Sequence, residues 1–150
     1  MKLLYQVHIF VELFGGRFLL RKGIKDDSKW CAAAFGDVKG VESYEKAAIR
    51  ALQNDLGLEA LHGDLDKIAA ISPGVSDKHI TLFTYLMDQK REELKLDTKK
   101  VGEVVASDLA DVIADVEGHK DDYAPVFIET FNIFLALAKN TGEYDKWTLY

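Results

Sequence analysis

Glu42, Glu45, Arg50 and Asp55 fall within one stretch, Gly36 to Leu58, whose sequence GDVKGVESYEKAAIRALQNDLGL reads as a loop followed by a helix. On a helix, positions 51, 54 and 55 are three and four residues apart, so their side chains converge on one face. Oxygen donors gathered in this way hold a hard divalent cation such as Mg2+. Such a cation screens the negative oxygens of a diphosphate, orients a water and stabilises charge on the departing phosphate. The three positions here carry Ala51, Asn54 and Asp55. Alanine offers no ligand and asparagine only a neutral carbonyl, which leaves Asp55 as the one anion of the set. A single anion holds a divalent cation weakly, through coordination and electrostatics together.

The spacing of Gly36, Glu42, Arg50, Gly57 and Leu58 resembles the box of the Nudix superfamily, G-x5-E-x7-R-E-U-x-E-E-x-G-U, where U is a bulky aliphatic. That box has glutamate at the positions of Ala51, Asn54 and Asp55, so the frame is kept while most of its carboxylates are replaced. The resemblance implies a single domain over residues 1–150 of α+β class, an α/β/α sandwich with a mixed β-sheet. It also implies Mg2+, with Mn2+ as a substitute, and a diphosphate substrate. In the family the pair matching Glu42 and Arg50 fastens the loop to the helix, and Arg50 has a second reading as a cation on the phosphate side. Asp55 becomes the leading metal ligand, with Glu42 and Glu45 as supporting acids. The backbone carbonyl of Phe35 is a further metal ligand, independent of its side chain. Glu45 is equally well explained as an acid beside the exposed amides of a helix start, and Asp37 as a turn-forming or solvent-facing acid.

The likeness continues outside the box. Trp30 to Val38, WCAAAFGDV, is similar to the approach W-D-x-S-x-x-G-H-V of the isopentenyl diphosphate isomerase-like branch. VGEVVASDLADVI from Val101 and YAPVF from Tyr123 resemble that branch's late strand-to-helix segment and the T-P-W-F that leads its last helix. The isomerase carries its catalytic cysteine just before the first box glycine, where this chain has Phe35, and Asp37 replaces the histidine that follows that glycine. The resemblance therefore argues against isomerase chemistry. Cys31 reads as a space-filling thiol.

These residues need a scaffold, and the apolar pattern predicts one. Residues 3 to 13 and Arg17 to Arg21, joined through Gly15-Gly16, read as a β-hairpin. Ser43 is placed to cap a helix running to about Asp55, and Gly57 to end it. Ile68–Ile71 and Ile80–Met87 read as strands around a Ser72-Pro73-Gly74 turn, and Gln89 to Lys100 as a charged loop or edge element. Ser107 to Asp111 reads as a helix start, and a last helix follows Pro125. Strands around a central helix, with further helices behind, fit a layered α+β fold. The recurring Phe127, Phe131 and Phe134 read first as core, since aromatics at helical spacing usually bury one face. Only as an exposed patch would they support a homodimer.

Composition narrows the partners. The 150 residues are 48% hydrophobic, enough for one sizeable core. The net charge of -6, from 25 acidic and 19 basic residues without a large basic cluster, argues against a nucleic-acid duplex as partner. A phosphorylated small molecule needs only a few local cations. The opening MKLLYQVHIFVELF is interrupted by His8 and Glu12 and reads as a strand, not a signal peptide. No window reaches the roughly 18 apolar residues of a membrane span. The lone Cys31 rules out an intrachain disulfide and suits a reducing cytoplasm. His62 reads as decoration near the end of the central helix, and His8 and His79 as strand residues.

Two functions stay open at this point. One is metal-dependent hydrolysis of a nucleoside diphosphate-linked or related diphosphate, with Asp55, Glu42 and Arg50 at its centre. The other is a catalytically weak or inactive Nudix-fold module for ligand binding or regulation, in which Arg50, Lys39 or Lys46 engages phosphate.

Overall fold

Alternation along the first strand decides the layering. In β1 (Leu4–Leu13), Val7, Ile9 and Val11 are buried on one face of the sheet and Phe10 on the other, the period of two that a pleated strand imposes. The structure, a computed structural model, describes residues 4–25, 27–72, 74 and 77–141. The turn at Gly15 and Gly16 takes φ of 91° and 77°, a conformation that glycine adopts without a Cβ penalty. It returns the chain as β2 (Arg17–Lys22), antiparallel to β1 through Glu12–Phe18 and Leu13–Arg17.

Among the described residues seven strands form one mixed sheet. β3 (Cys31–Ala32) pairs with β2, and β4 (Ala34–Asp37) runs antiparallel to β1 with Phe35 opposite His8. β5 (Leu65–Ile71) is antiparallel to β6 (Lys78–Leu86), and β6 lies parallel to β1 from Leu4–Lys78 to Glu12–Leu86. β7 (Glu103–Asp108) pairs antiparallel with β2 along its length.

One face of the sheet is covered by α1 (Tyr44–Leu56), whose buried side chains are Ala47, Ala48, Ala51, Leu52, Asp55 and Leu56. The small residues let α1 lie close against the sheet, so a charged residue at its end becomes part of the interior. Ser43 Oγ accepts the Lys46 amide at 3.1 Å, satisfying a first-turn donor. Gly57 closes the helix at φ 69°, and a Cβ there would lie 2.6 Å from the Lys95 Cβ. The expected cap and terminator are therefore both present.

α2 (Leu109–Gly118) and α3 (Pro125–Thr141) cover the opposite face. Pro125 takes the first helical position, where its missing N–H has no intrahelical acceptor to lose. Phe127, Phe131 and Phe134 are buried against Phe10 and Phe18, with Phe10 and Phe134 edge-to-face at 5.2 Å. The aromatic stripe of α3 is thus consumed by the core. Residues from Gln89 to Lys100 form a loop with one short 3-10 turn at Arg91–Glu93. That loop is tied to the end of α1 by Lys95 N–H to the Leu56 carbonyl at 2.8 Å and Asp97 N–H to the Asp55 carbonyl at 3.1 Å. The Ser72-Pro73-Gly74 turn includes Pro73, which lies outside the described residues. Among the described residues no helix is long and apolar enough to cross a membrane.

Candidate functional site

A cavity of about 310 Å3 opens where α1 meets β1 and β4. Gln6, Phe35, Gly36, Asp37, Ala51, Asn54 and Asp55 line it, together with the cations Arg21, Lys39, Arg50 and Lys100. The helical spacing of 51, 54 and 55 does bring these three positions to one wall. They differ in setting: Ala51 and Asp55 are buried, whereas Asn54 is exposed.

Arg50 clips the loop to the helix. One of its nitrogens, Nη1, donates to Glu42 Oε2 and the other, Nη2, to the Asp37 carbonyl at 2.6 Å. Glu42 in turn accepts the Lys39 amide at 2.7 Å through its second oxygen. Hydrogen bonds from Arg50, then the Lys39 amide, hold the Glu42 carboxyl below the usual carboxylate range. Both side chains of the pair are thereby engaged in holding residues 37–42 against α1. Asp37 is itself held by Gln6 Nε2 at 2.9 Å.

Asp55 has a partner that the sequence reading did not consider. Arg21 Nη1 lies 2.9 Å from Asp55 Oδ2, with side-chain exposures of 5% and 2%. The contact is ionic without hydrogen-bond geometry, since among the described residues the buried Nη1 has no hydrogen-bond acceptor. Asp55 Oδ2 also accepts the Phe35 amide at 3.3 Å. The Arg21 guanidinium stacks 4.1 Å from the Phe35 ring centre, which fixes its plane. Phe35 therefore holds both members of the ion pair, one by its backbone and the other by its ring. A strand-parity argument could have found Arg21: Leu19, two residues earlier in β2, is buried on the α1 face, so Arg21 must face the same way.

Glu45 stands apart from the cavity. Its carboxylate pairs with His62 Nδ1 and accepts the Gly63 amide at 3.4 Å, so His62 meets the first turn of α1 and not its end. Among the described residues, no group of three or more His, Cys, Asp or Glu side chains is placed to hold a metal ion. The donor set fits a divalent cation poorly on chemical grounds as well. Ala51 contributes no oxygen, Asn54 at most a neutral one, and the Asp55 oxygen nearest Arg21 is already ion-paired.

Two further groups border the site. His8 is buried, stacks on Phe35 with ring centres 5.2 Å apart, and shares a 3.1 Å hydrogen bond with Gln6 Oε1. Burial first, then the nearby charges of Lys78 and Arg21, lower its pKa to about 4, so it is neutral at pH 7. Cys31 Sγ donates to the Arg21 carbonyl at 3.5 Å, and burial pushes its thiol pKa up. A thiol held protonated in this way is a poor nucleophile.

No family model matches the chain, and no curated protein sequence matches it. Solved structures do match. DR0079 from Deinococcus radiodurans superposes with a TM-score of 0.72 at 13% identity, covering 87% of this chain and 83% of that one. A NUDIX hydrolase from Nitrosomonas europaea gives 0.66 at 17% identity and 90% coverage of both chains. The E. coli ORF135 protein gives 0.64 at 25% identity and 91% coverage of both. The chain thus has the α/β/α sandwich with a mixed sheet seen in Nudix hydrolases, a likeness of fold that leaves its chemistry to be argued from its own residues.

Proposed function

We propose that this chain is a Nudix-fold module that binds a phosphorylated small molecule in the cavity beside α1 and turns it over slowly or not at all. One observation carries the reading: the wall of α1 that faces the cavity presents Ala51, Asn54 and Asp55, a single carboxylate where metal-assisted hydrolysis needs several. The cavity nevertheless keeps ligand-binding character. Four cationic side chains line it against two carboxylates, and with Glu42 behind Arg50 counted as well the balance is still positive. That balance attracts an anionic ligand while weakening the case for a divalent ion.

Hydrolysis with Mg2+ or Mn2+ through Asp55, Glu42 and Arg50 has less support. Glu42 and Arg50 are bonded to each other in the loop clip, and Asp55 is paired with Arg21. The altered box and the likeness of residues 30–38, 101–113 and 123–127 to the isomerase-like branch belong to the same reading: a scaffold inherited from diphosphate chemistry whose reactive groups have been replaced. The test is a panel of nucleoside diphosphate-linked, sugar-linked and isoprenoid diphosphates, assayed for both binding and products with and without Mg2+ or Mn2+. Binding without product is expected, and metal-dependent cleavage abolished by Asp55→Asn would overturn the proposal. In parallel, Ala51→Glu with Asn54→Glu asks whether the missing carboxylates alone limit turnover.

A further inference from the structure

We infer that Arg21 supplies, from within the fold, the positive charge that a divalent cation would otherwise bring to this cavity, so that the site holds a phosphoryl or pyrophosphoryl group without metal. This rests on the ligand-binding reading above and adds how the ligand's charge is met. Arg21 is only 4% exposed, yet it lines the cavity. A guanidinium keeps its charge at any ordinary pH, and its planar fork matches the oxygens of a phosphoryl group.

The surroundings fix that charge in place. Phe35 stacks on the guanidinium at 4.1 Å and its amide holds Asp55 Oδ2 at 3.3 Å, so neither partner of the ion pair is loose. A cation approaching Asp55 meets a positive group 2.9 Å from the oxygen it would bind. An oxyanion in the same cavity meets the guanidinium together with its paired carboxylate, so its net attraction comes from the excess of one positive charge over the whole lining. Arg21 Nη1 is enclosed beside Asp55 and makes no hydrogen bond among the described residues.

Counting pairs sharpens the ligand class. Asp55 offsets Arg21 and Glu42 offsets Arg50, leaving Lys39 and Lys100 against Asp37, a net excess of one positive charge. The volume of about 310 Å3 sits at the lower end of the roughly 300–1,000 Å3 typical of small-molecule pockets. A compact terminal phosphoryl or pyrophosphoryl group fits, with any larger substituent directed outward.

The test is calorimetric titration of the full chain with inorganic phosphate and with pyrophosphate, in EDTA and in Mg2+, with Kd corrected for the ligand's own Mg2+ complex. Pyrophosphate is expected to bind in EDTA with a Kd within about threefold of that in Mg2+, a difference below 1 kcal/mol. Lys100→Glu, a change at an exposed position, is expected to weaken it by about tenfold or more. Because Arg21→Met alone strands Asp55, the second variant is Arg21→Met with Asp55→Leu, its fold checked by circular dichroism. It should be folded and no longer bind pyrophosphate. Binding confined to Mg2+ buffer, no binding in either buffer, or binding in EDTA that Arg21→Met with Asp55→Leu leaves intact would overturn the inference. The two proposals fail separately: phosphate released from a diphosphate in Mg2+ counts against low turnover, whereas a strict Mg2+ requirement for binding counts against Arg21 in the cation's place.

Discussion

Arg21 of β2 and Asp55 of α1 meet 2.9 Å apart in the interior, joining the sheet to the last turn of the helix through opposite charges. Taking one charge away from such a pair leaves the other buried and uncompensated. Asp55→Asn is therefore expected to lower unfolding free energy by about 3–5 kcal/mol, whereas Arg21→Met with Asp55→Leu recovers most of that loss. Urea denaturation of the single and double variants measures both. A loss below about 1 kcal/mol for Asp55→Asn would show that Arg21 does not depend on Asp55.

The loop clip makes a prediction that is local. Lys39 N–H is held by Glu42 Oε1 at 2.7 Å, and Glu42 is held by Arg50. Glu42→Ala removes the acceptor and frees Arg50, so amide exchange at Lys39 should quicken by about tenfold or more while the core strands keep their protection. Residue-resolved hydrogen exchange separates this outcome from global destabilisation, which would raise exchange in β1 and β6 as well.

His8 gives stability a dependence on pH. Its folded pKa, about 4, lies below the ordinary value of 6.5 because burial and the charges of Lys78 and Arg21 disfavour the imidazolium. Between these values the unfolded chain binds the extra proton, so stability is full above pH 6.5 and falls as pH drops toward 4. The slope contributed by His8 approaches about 1.4 kcal/mol per pH unit in the middle of that window. His8→Gln should remove this component, as read from unfolding curves at pH 7 and pH 5. An unchanged slope would assign the acid sensitivity to other groups.

Gly57 tests the closure of α1. At φ 69° an added Cβ would meet the Lys95 Cβ at 2.6 Å and the Lys95 carbonyl at 3.0 Å, so the Leu94–Leu96 loop must move. Gly57→Ala is expected to cost about 1–2 kcal/mol from the left-handed backbone alone, and more from the displaced loop. Thermal unfolding measures it, with Gly63→Ala as the comparison: there φ is 93° and a Cβ meets nothing within 4 Å. Equal losses at both positions would show that Lys95 yields freely.

The elements were legible because their signals are local. Ser43 and Gly57 bracket α1, Gly15-Gly16 turns the first hairpin, and Pro125 opens α3, each for a backbone reason carried by the residue itself. The Glu42–Arg50 pair was also readable, since both residues belong to one loop and helix. The side of the sheet that Arg21 faces follows from strand parity, but its pairing with Asp55 does not, because that carboxylate lies 34 positions away in another element and no spacing rule links them. Lys100 and Gln6 reach the cavity in the same long-range manner. The partners of Glu45 likewise depend on where residues 62 and 63 return to the helix.

The parallel pairing of β1 with β6 bears on how the molecule assembles. Leu4 finds Lys78 and Glu12 finds Leu86, so the middle of the sheet joins segments far apart in the chain. Closing a loop of that length costs entropy before its contacts return any stability, which slows folding relative to hairpin formation. During synthesis β1 can pair with β2 and β4 long before β6 has been made. One flank of the strand then waits with its peptide groups unpaired, an edge open to other chains. Conditions that delay β6 should therefore favour association of nascent chains through β1, at the same strand whose Gln6 and His8 border the ligand cavity.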